Sequence, residues 1–164
     1  MLQKILLLFT VFIFKQASLK AQEENSKPLP FLQSKEVPPV TLILTNDSVI
    51  NKNNFPKEKL LIIYFNPDCG HCQVLTKHLT DSISYLKDYT VIMATYSKMK
   101  DLKKFEEEFN IKQHPNILLA RDKTYFLVPF YGIKTTPFVA AYTKRGKLYK
   151  YYTDDFSIKD LLEL

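Results

Sequence analysis

Leu60-Leu61-Ile62-Ile63-Tyr64-Phe65-Asn66-Pro67-Asp68-Cys69-Gly70-His71-Cys72 contains the passage from strand to helix on which the fold turns. Six apolar residues run without a break between Lys59 and Asn66-Pro67. Alternation would mean one buried face. An unbroken run means that both faces are covered, as in the middle of an α/β sheet. After Cys72 the period changes. Val74, Leu75, Leu79, Ile83 and Leu86 recur at helical spacing, and Thr76, Lys77, Thr80, Asp81 and Lys87 fill the opposite face. The two cysteines therefore stand where a buried strand ends and an amphipathic helix begins.

Outward from this junction the chain alternates between strand and helix patterns. Residues 40–45 form a short β-rich run closed by the turn-formers Asn46-Asp47. Residues 89–95 predict a second buried strand, and residues 98–109 a charged helix with a narrow stripe of Leu102, Phe105 and Phe109, read as core packing. Residues 116–120 are again β-rich, and 121–131 suggest a short helix broken by Pro129. Residues 137–142 and 148–152, joined through Lys144-Arg145-Gly146-Lys147, predict an antiparallel hairpin. A last helix is expected over 157–164, opened by Ser157 as N-cap with Asp160 three residues on. Parallel crossover units followed by a hairpin imply an α/β fold with a mixed central sheet flanked by helices.

Cys69 and Cys72 are the only cysteines in 164 residues, too few for a disulfide scaffold. A Cys-x-x-Cys pair at a helix start puts the first sulfur against unpaired N–H groups and the positive end of the helix dipole, which favours its thiolate. His71 can add positive charge between the two sulfurs. Cys69 is thus the expected attacking sulfur and Cys72 the resolving one, in a redox-active dithiol. A zinc site would need about four ligands, and beyond the pair the chain offers only His71, His78, His114 and carboxylates. Taken singly, His78 and His114 read as structural residues, and no metal or other cofactor is expected. Copper remains open, because soft thiolates suit Cu(I).

The ends and the charge bound where the chain works. Lys4 precedes the run Ile5 to Phe14, followed by Ala17-Ser18-Leu19-Lys20-Ala21. Ten residues rise about 15 Å as a helix, half of the roughly 30 Å hydrocarbon core. Residues 1–21 thus read as a cleaved export signal, with an uncleaved anchor as the alternative and no stable membrane span after cleavage. That places the protein in a periplasm or another extracytoplasmic space. Residues 22–39, with Pro28, Pro30, Pro38 and Pro39, read as a linker or lead-in without helix, and 40–164 as one domain. The net charge of +6 falls to +3 without Lys4, Lys15 and Lys20. With no basic run carrying interleaved aromatics, nucleic acid is not an expected partner.

The junction, the Cys69-Gly70-His71-Cys72 motif and Tyr131-Gly132-Ile133-Lys134-Thr135-Thr136-Pro137-Phe138 ahead of the hairpin together resemble the thioredoxin superfamily over about residues 40–164, most of all its extracytoplasmic bacterial members. The resemblance implies a thioredoxin-like fold and thiol–disulfide exchange with protein dithiols and disulfides, with a membrane electron donor as a candidate partner. It also implies a cis peptide between Thr136 and Pro137, packed against the dithiol and offering its backbone to substrate. Asp68, Gly70 and His71 would tune the sulfurs. Two positions depart from the family pattern. Asp68 stands where a tryptophan is usual, and its charge would oppose the Cys69 thiolate. Ile63 stands where many members carry a buried acid that helps deprotonate the resolving thiol. A peroxiredoxin-like peroxidase is a further reading, with Asn66 where that family's pattern has threonine. A copper- or zinc-handling module and a catalytically idle interaction domain complete the alternatives.

Overall fold

The computed structural model describes residues 28–153 and 157–163. The expected export signal over 1–21, with the outer part of the lead-in, lies outside the described residues. Seven strands form one sheet: β1 (Thr41–Leu44), β2 (Val49–Asn51), β3 (Lys59–Tyr64), β4 (Tyr89–Thr95), β5 (Ile117–Arg121), β6 (Phe138–Tyr142) and β7 (Leu148–Tyr152), in the order β2-β1-β5-β4-β3-β6-β7. β3, β4 and β5 run parallel, and the remaining pairings are antiparallel. The helices are α1 (Pro30–Ser34), α2 (Gly70–Asp81), α3 (Met99–Glu108), α4 (Leu127–Tyr131) and α5 (Ile158–Leu162). Short 3₁₀ turns occupy Ile83–Leu86 and Ile111–Gln113.

The sheet divides the core in two, and the alternation of β3 shows how. Leu61 and Ile63 face a cluster with Leu75 and Leu79 of α2, Leu102 and Phe105 of α3, and Leu161 of α5. Leu60, Ile62 and Tyr64 face the other cluster, with Phe31 of α1 and Leu127, Phe130 and Tyr131 of α4. β3 is covered on both faces, as its unbroken apolar run requires. β4 is buried along its whole length, and its bounds are those read from the sequence. The Leu102, Phe105 and Phe109 stripe packs against the first cluster.

Three expectations need correction. The proline-rich lead-in was expected to hold no helix, yet Pro30–Ser34 is helical, and Phe31 is only 1% exposed. Pro30 lies in the first turn, where its missing N–H would have had no partner in any case. Beyond α1 the backbone is tied to the β6–β7 hairpin, through Val37 N–H to Gly146 O (3.0 Å) and Leu148 N–H to Lys35 O (2.8 Å). Second, Pro129 does not break a helix. It is the third residue of α4, still within the turn whose N–H groups have no intrahelical acceptor. Third, β2 was not anticipated; it is a three-residue edge strand that closes on β1 through the Asn46-Asp47 turn.

Candidate active site

β3 ends at Tyr64, and Phe65 N–H still bonds to Ala94 O of the neighbouring strand (3.0 Å). The chain then turns. Asn66 Oδ1 accepts the Asp68 N–H (3.0 Å), and Asn66 O accepts the Cys69 N–H (3.0 Å). This Asx turn places Cys69 as the N-cap of α2, in an extended conformation with φ −87° and ψ 118°. Gln73 Nε2 reaches back to Pro67 O (2.8 Å) and ties the turn to the first turn of the helix. Asn66 and Gln73 were not singled out from sequence; Asn-Pro-Asp ahead of a helix was the available signal.

The two sulfurs face different surroundings. Cys69 is partly exposed, whereas Cys72 is fully buried. Partial burial works against the Cys69 thiolate but is outweighed by hydrogen bonds from the Cys72 N–H and thiol, from the Thr136 side chain and from the His71 N–H, and its pKa is lowered. For Cys72, burial dominates and the adjacent Cys69 charge adds to it, so its thiol is pushed up to about 11. The two sulfurs therefore differ in both exposure and acidity. Both are unpaired thiols in this structure.

On the other side of the site, β6 runs antiparallel to β3 with Phe138 opposite Tyr64. That register brings the segment just before β6 to the end of β3. The Thr136–Pro137 peptide is cis, as the family resemblance implied, and Cys69 Sγ lies 3.6 Å from Thr136 O. Thr136 and Pro137 are both half-buried beside the thiols. The structure thus brings together Cys69, Cys72, Thr136 and Pro137. Asp68 and His71 are exposed, and His71 contributes through its backbone N–H. A Cβ placed on Gly70 would meet nothing within 4 Å, so close packing does not demand glycine there.

Ile63 is fully buried in the same cluster as Cys72. The buried carboxylates among the described residues are engaged elsewhere. Glu106 accepts from Thr45 Oγ1 and pairs with Lys112, and Asp122 accepts from Leu127 N–H (2.8 Å) and Thr124 Oγ1 (3.2 Å). Among the described residues no three His, Cys, Asp or Glu side chains gather as a metal-binding group. His78 is exposed on α2, and His114 lies half-buried beyond α3.

A mixed sheet with helices on both faces, a cysteine pair opening a helix at the end of a central strand and a cis proline beside it define a thioredoxin-fold dithiol domain. Residues 47–163 match the family model of the thioredoxin-like domain, and the chain belongs to that family. Protein disulfide isomerase-like 1-4 of Arabidopsis thaliana is 24% identical over 121 residues, which cover 74% of this chain. The chain spans only 19% of that relative's length. Among solved structures, a secreted Mycobacterium tuberculosis disulfide oxidoreductase homologous to E. coli DsbE is similar, with a TM-score of 0.64 at 12% identity over 76% of this chain and 92% of that one. ScoI of Arabidopsis thaliana with copper bound is similar at TM-score 0.62 and 12% identity, over 77% of this chain and 92% of that one. At these identities the structural likeness establishes the fold.

Proposed function

We propose that this protein is a thiol–disulfide oxidoreductase that exchanges protein dithiols and disulfides through Cys69 and Cys72, exported by residues 1–21 to a periplasmic or other extracytoplasmic space. The observation that carries the reading is the asymmetry of the pair. One sulfur is accessible, with N–H donors that stabilise its anion; the other is buried behind it and kept protonated. In the reducing direction, the Cys69 thiolate attacks one sulfur of a substrate disulfide, and the other substrate sulfur leaves as a thiolate. Cys72 then loses its proton and attacks the Cys69 sulfur of the mixed disulfide. The second substrate sulfur departs, the Cys69–Cys72 bond closes, and two electrons have passed to the substrate. The reverse sequence oxidises a substrate dithiol. Thr136 O, next to Cys69, is the candidate hydrogen-bond acceptor for an extended substrate segment.

Insulin reduction and oxidative refolding test this directly. Cys69→Ser should abolish both activities, and Cys72→Ser should accumulate a mixed disulfide on Cys69 that mass spectrometry detects. Activity of Cys69→Ser equal to that of the unaltered protein would overturn the proposal. No observation favours the copper-handling or peroxidase readings over this one.

A further inference from the structure

Because β3, β4 and β5 are parallel, their carboxyl ends share one edge of the sheet. The dithiol turn leaves from β3, Tyr96 follows β4 directly, and Tyr125 lies in the loop between β5 and α4. Neighbouring strands are about 4.8 Å apart, so the two tyrosines stand one and two strand spacings from the start of the dithiol turn. They meet there. Their ring centroids are 5.2 Å apart with the planes at 81°, and the residues are 50% and 49% exposed. An edge-on pair covers one face of one ring and leaves the other faces open to solvent.

The chain holds this pair at a conformational cost. Tyr125 has φ +57°, a left-handed backbone that is an outlier for a bulky side chain. The fully buried Asp122 fixes it. Asp122 N–H bonds to Thr95 O at the end of β4 (2.8 Å), its carboxylate takes the Leu127 N–H, and its carbonyl takes the Tyr125 N–H (3.2 Å). The Tyr96 N–H in turn meets the buried Tyr64 hydroxyl. Neither ring joins a core cluster, so packing does not account for the arrangement. Charge selects little here. Lys98, Lys100, Lys123 and Lys134 are exposed at this edge against Asp68 and Asp101, a mild positive excess that disfavours a basic partner and leaves recognition to the rings. We propose that Tyr96 and Tyr125 are specificity-determining residues of the dithiol, taking an aromatic side chain that the substrate polypeptide carries about four residues from its reacting cysteine. This rests on thiol–disulfide exchange at Cys69 and names the substrate class. Four extended residues span about 13 Å, enough to run from a cysteine at Cys69 across two strand spacings to Tyr125. Half-exposed tyrosines held rigid are the side chains that most often anchor a protein partner.

The test uses neutral serine- and glutamine-based peptides with one cysteine held as a mixed disulfide with thionitrobenzoate. One peptide carries phenylalanine about four residues to either side of the cysteine, and the other carries alanine there. The Cys69 thiolate attacks the peptide sulfur, and thionitrobenzoate leaves with the bonding electrons and is read by its absorbance. Cys72 then closes the Cys69–Cys72 bond as the peptide thiol departs. The reduced protein should act on the phenylalanine peptide at least five-fold faster than on the alanine peptide. Tyr96→Ala and Tyr125→Ala should each bring that ratio below two-fold. Tyr125→Phe should keep it, because the ring remains, and so should Tyr85→Ala, at an exposed tyrosine in the turn after α2. Equal rates for the two peptides, or an undiminished ratio in both alanine variants, would overturn the proposal and leave the exchange chemistry standing. Release from neither peptide would overturn the exchange chemistry and this proposal with it.

Discussion

Cys69 and Cys72 are three residues apart, yet their protons behave in opposite ways, and this makes the pair separable by pH. A lowered folded pKa means that the Cys69 contribution to stability is fully present above the unfolded value of about 8.5 and is lost as pH falls through the folded value. Cys72 has the opposite sign. Its folded pKa of about 11 lies above the unfolded one, so its contribution is present at neutral pH and is lost as pH rises toward 11. Above about pH 8.5 only the Cys72 contribution still changes. Urea unfolding of the reduced protein should therefore weaken more steeply between pH 8 and 10.5 than that of Cys72→Ala; parallel curves would refute this. Ile63 bears on the same proton. With an apolar residue there, the cluster around Cys72 holds no carboxylate to receive that proton. Ile63→Asp should speed decay of the mixed disulfide at pH 7, read by rapid quench, while lowering thermal stability through an acid placed in a dry cluster. The thiols were legible from residue types at fixed spacing, whereas the cis Thr136-Pro137 step was implied only by the family resemblance, because a Thr-Pro dipeptide alone does not announce a cis bond. The backbone donors of His71 and Cys72 were anticipated only as a helix end. The bond from Gln73 to Pro67 was not legible, because a glutamine on a helix carries no signal of what it reaches back to.

At the scale of elements, long apolar runs were easy to read and short or proline-bearing ones were not. β4 owes its legibility to seven consecutive buried positions, and β3 to its closed apolar run. α1 was missed because Pro28, Pro30, Pro38 and Pro39 argue against a helix, whereas the structure uses Pro30 in a first turn and lets Phe31 supply the binding. Phe31 meets Tyr131, Phe138 and Tyr151 edge-on, with ring centroids 5.3, 6.2 and 5.0 Å away. Those partners come from three later elements, and no local pattern announces them. α5 illustrates the opposite case. Ser157 accepts from the Asp160 N–H, and Asp160 accepts from the Ser157 N–H, a reciprocal cap readable from two residues at the right spacing. Ser157→Ala should cost about 1 kcal/mol, measured by chemical denaturation, and should increase amide exchange in α5 more than in α2. An unchanged midpoint would mean that α5 is held by the packing of Leu161 and by Tyr152 Oη, which donates to Asp160 O (2.9 Å), and not by its cap.

For the whole molecule, the same residues decide where the folded unit starts. The family match begins at residue 47, and a composition boundary falls near 40. The structure gives physical reasons to move that start upstream. Leu29 packs beside Gly132, which has φ +67°, and a Cβ added there would come within 2.7 Å of the end of the Leu29 side chain. Phe31 fills the second core cluster against Tyr131 and Phe138, and Phe138 directly follows Pro137 at the dithiol. The segment from 28 to 39 is therefore a strap across one face of the sheet, and removing it would expose aromatic surface that bears on the active-site end. A chain beginning at residue 28 should unfold with a midpoint close to that of a chain beginning at residue 22. A chain beginning at residue 40 should lose at least the about 3–5 kcal/mol typical of deleting a buried phenylalanine, and should bind a hydrophobic dye. If the chain beginning at 40 unfolded at the same denaturant concentration as the longer ones, the strap would be an appendage, and the boundary suggested by composition would be the physical one. The buried position of Phe31 and its ring contacts with three separate elements predict the opposite.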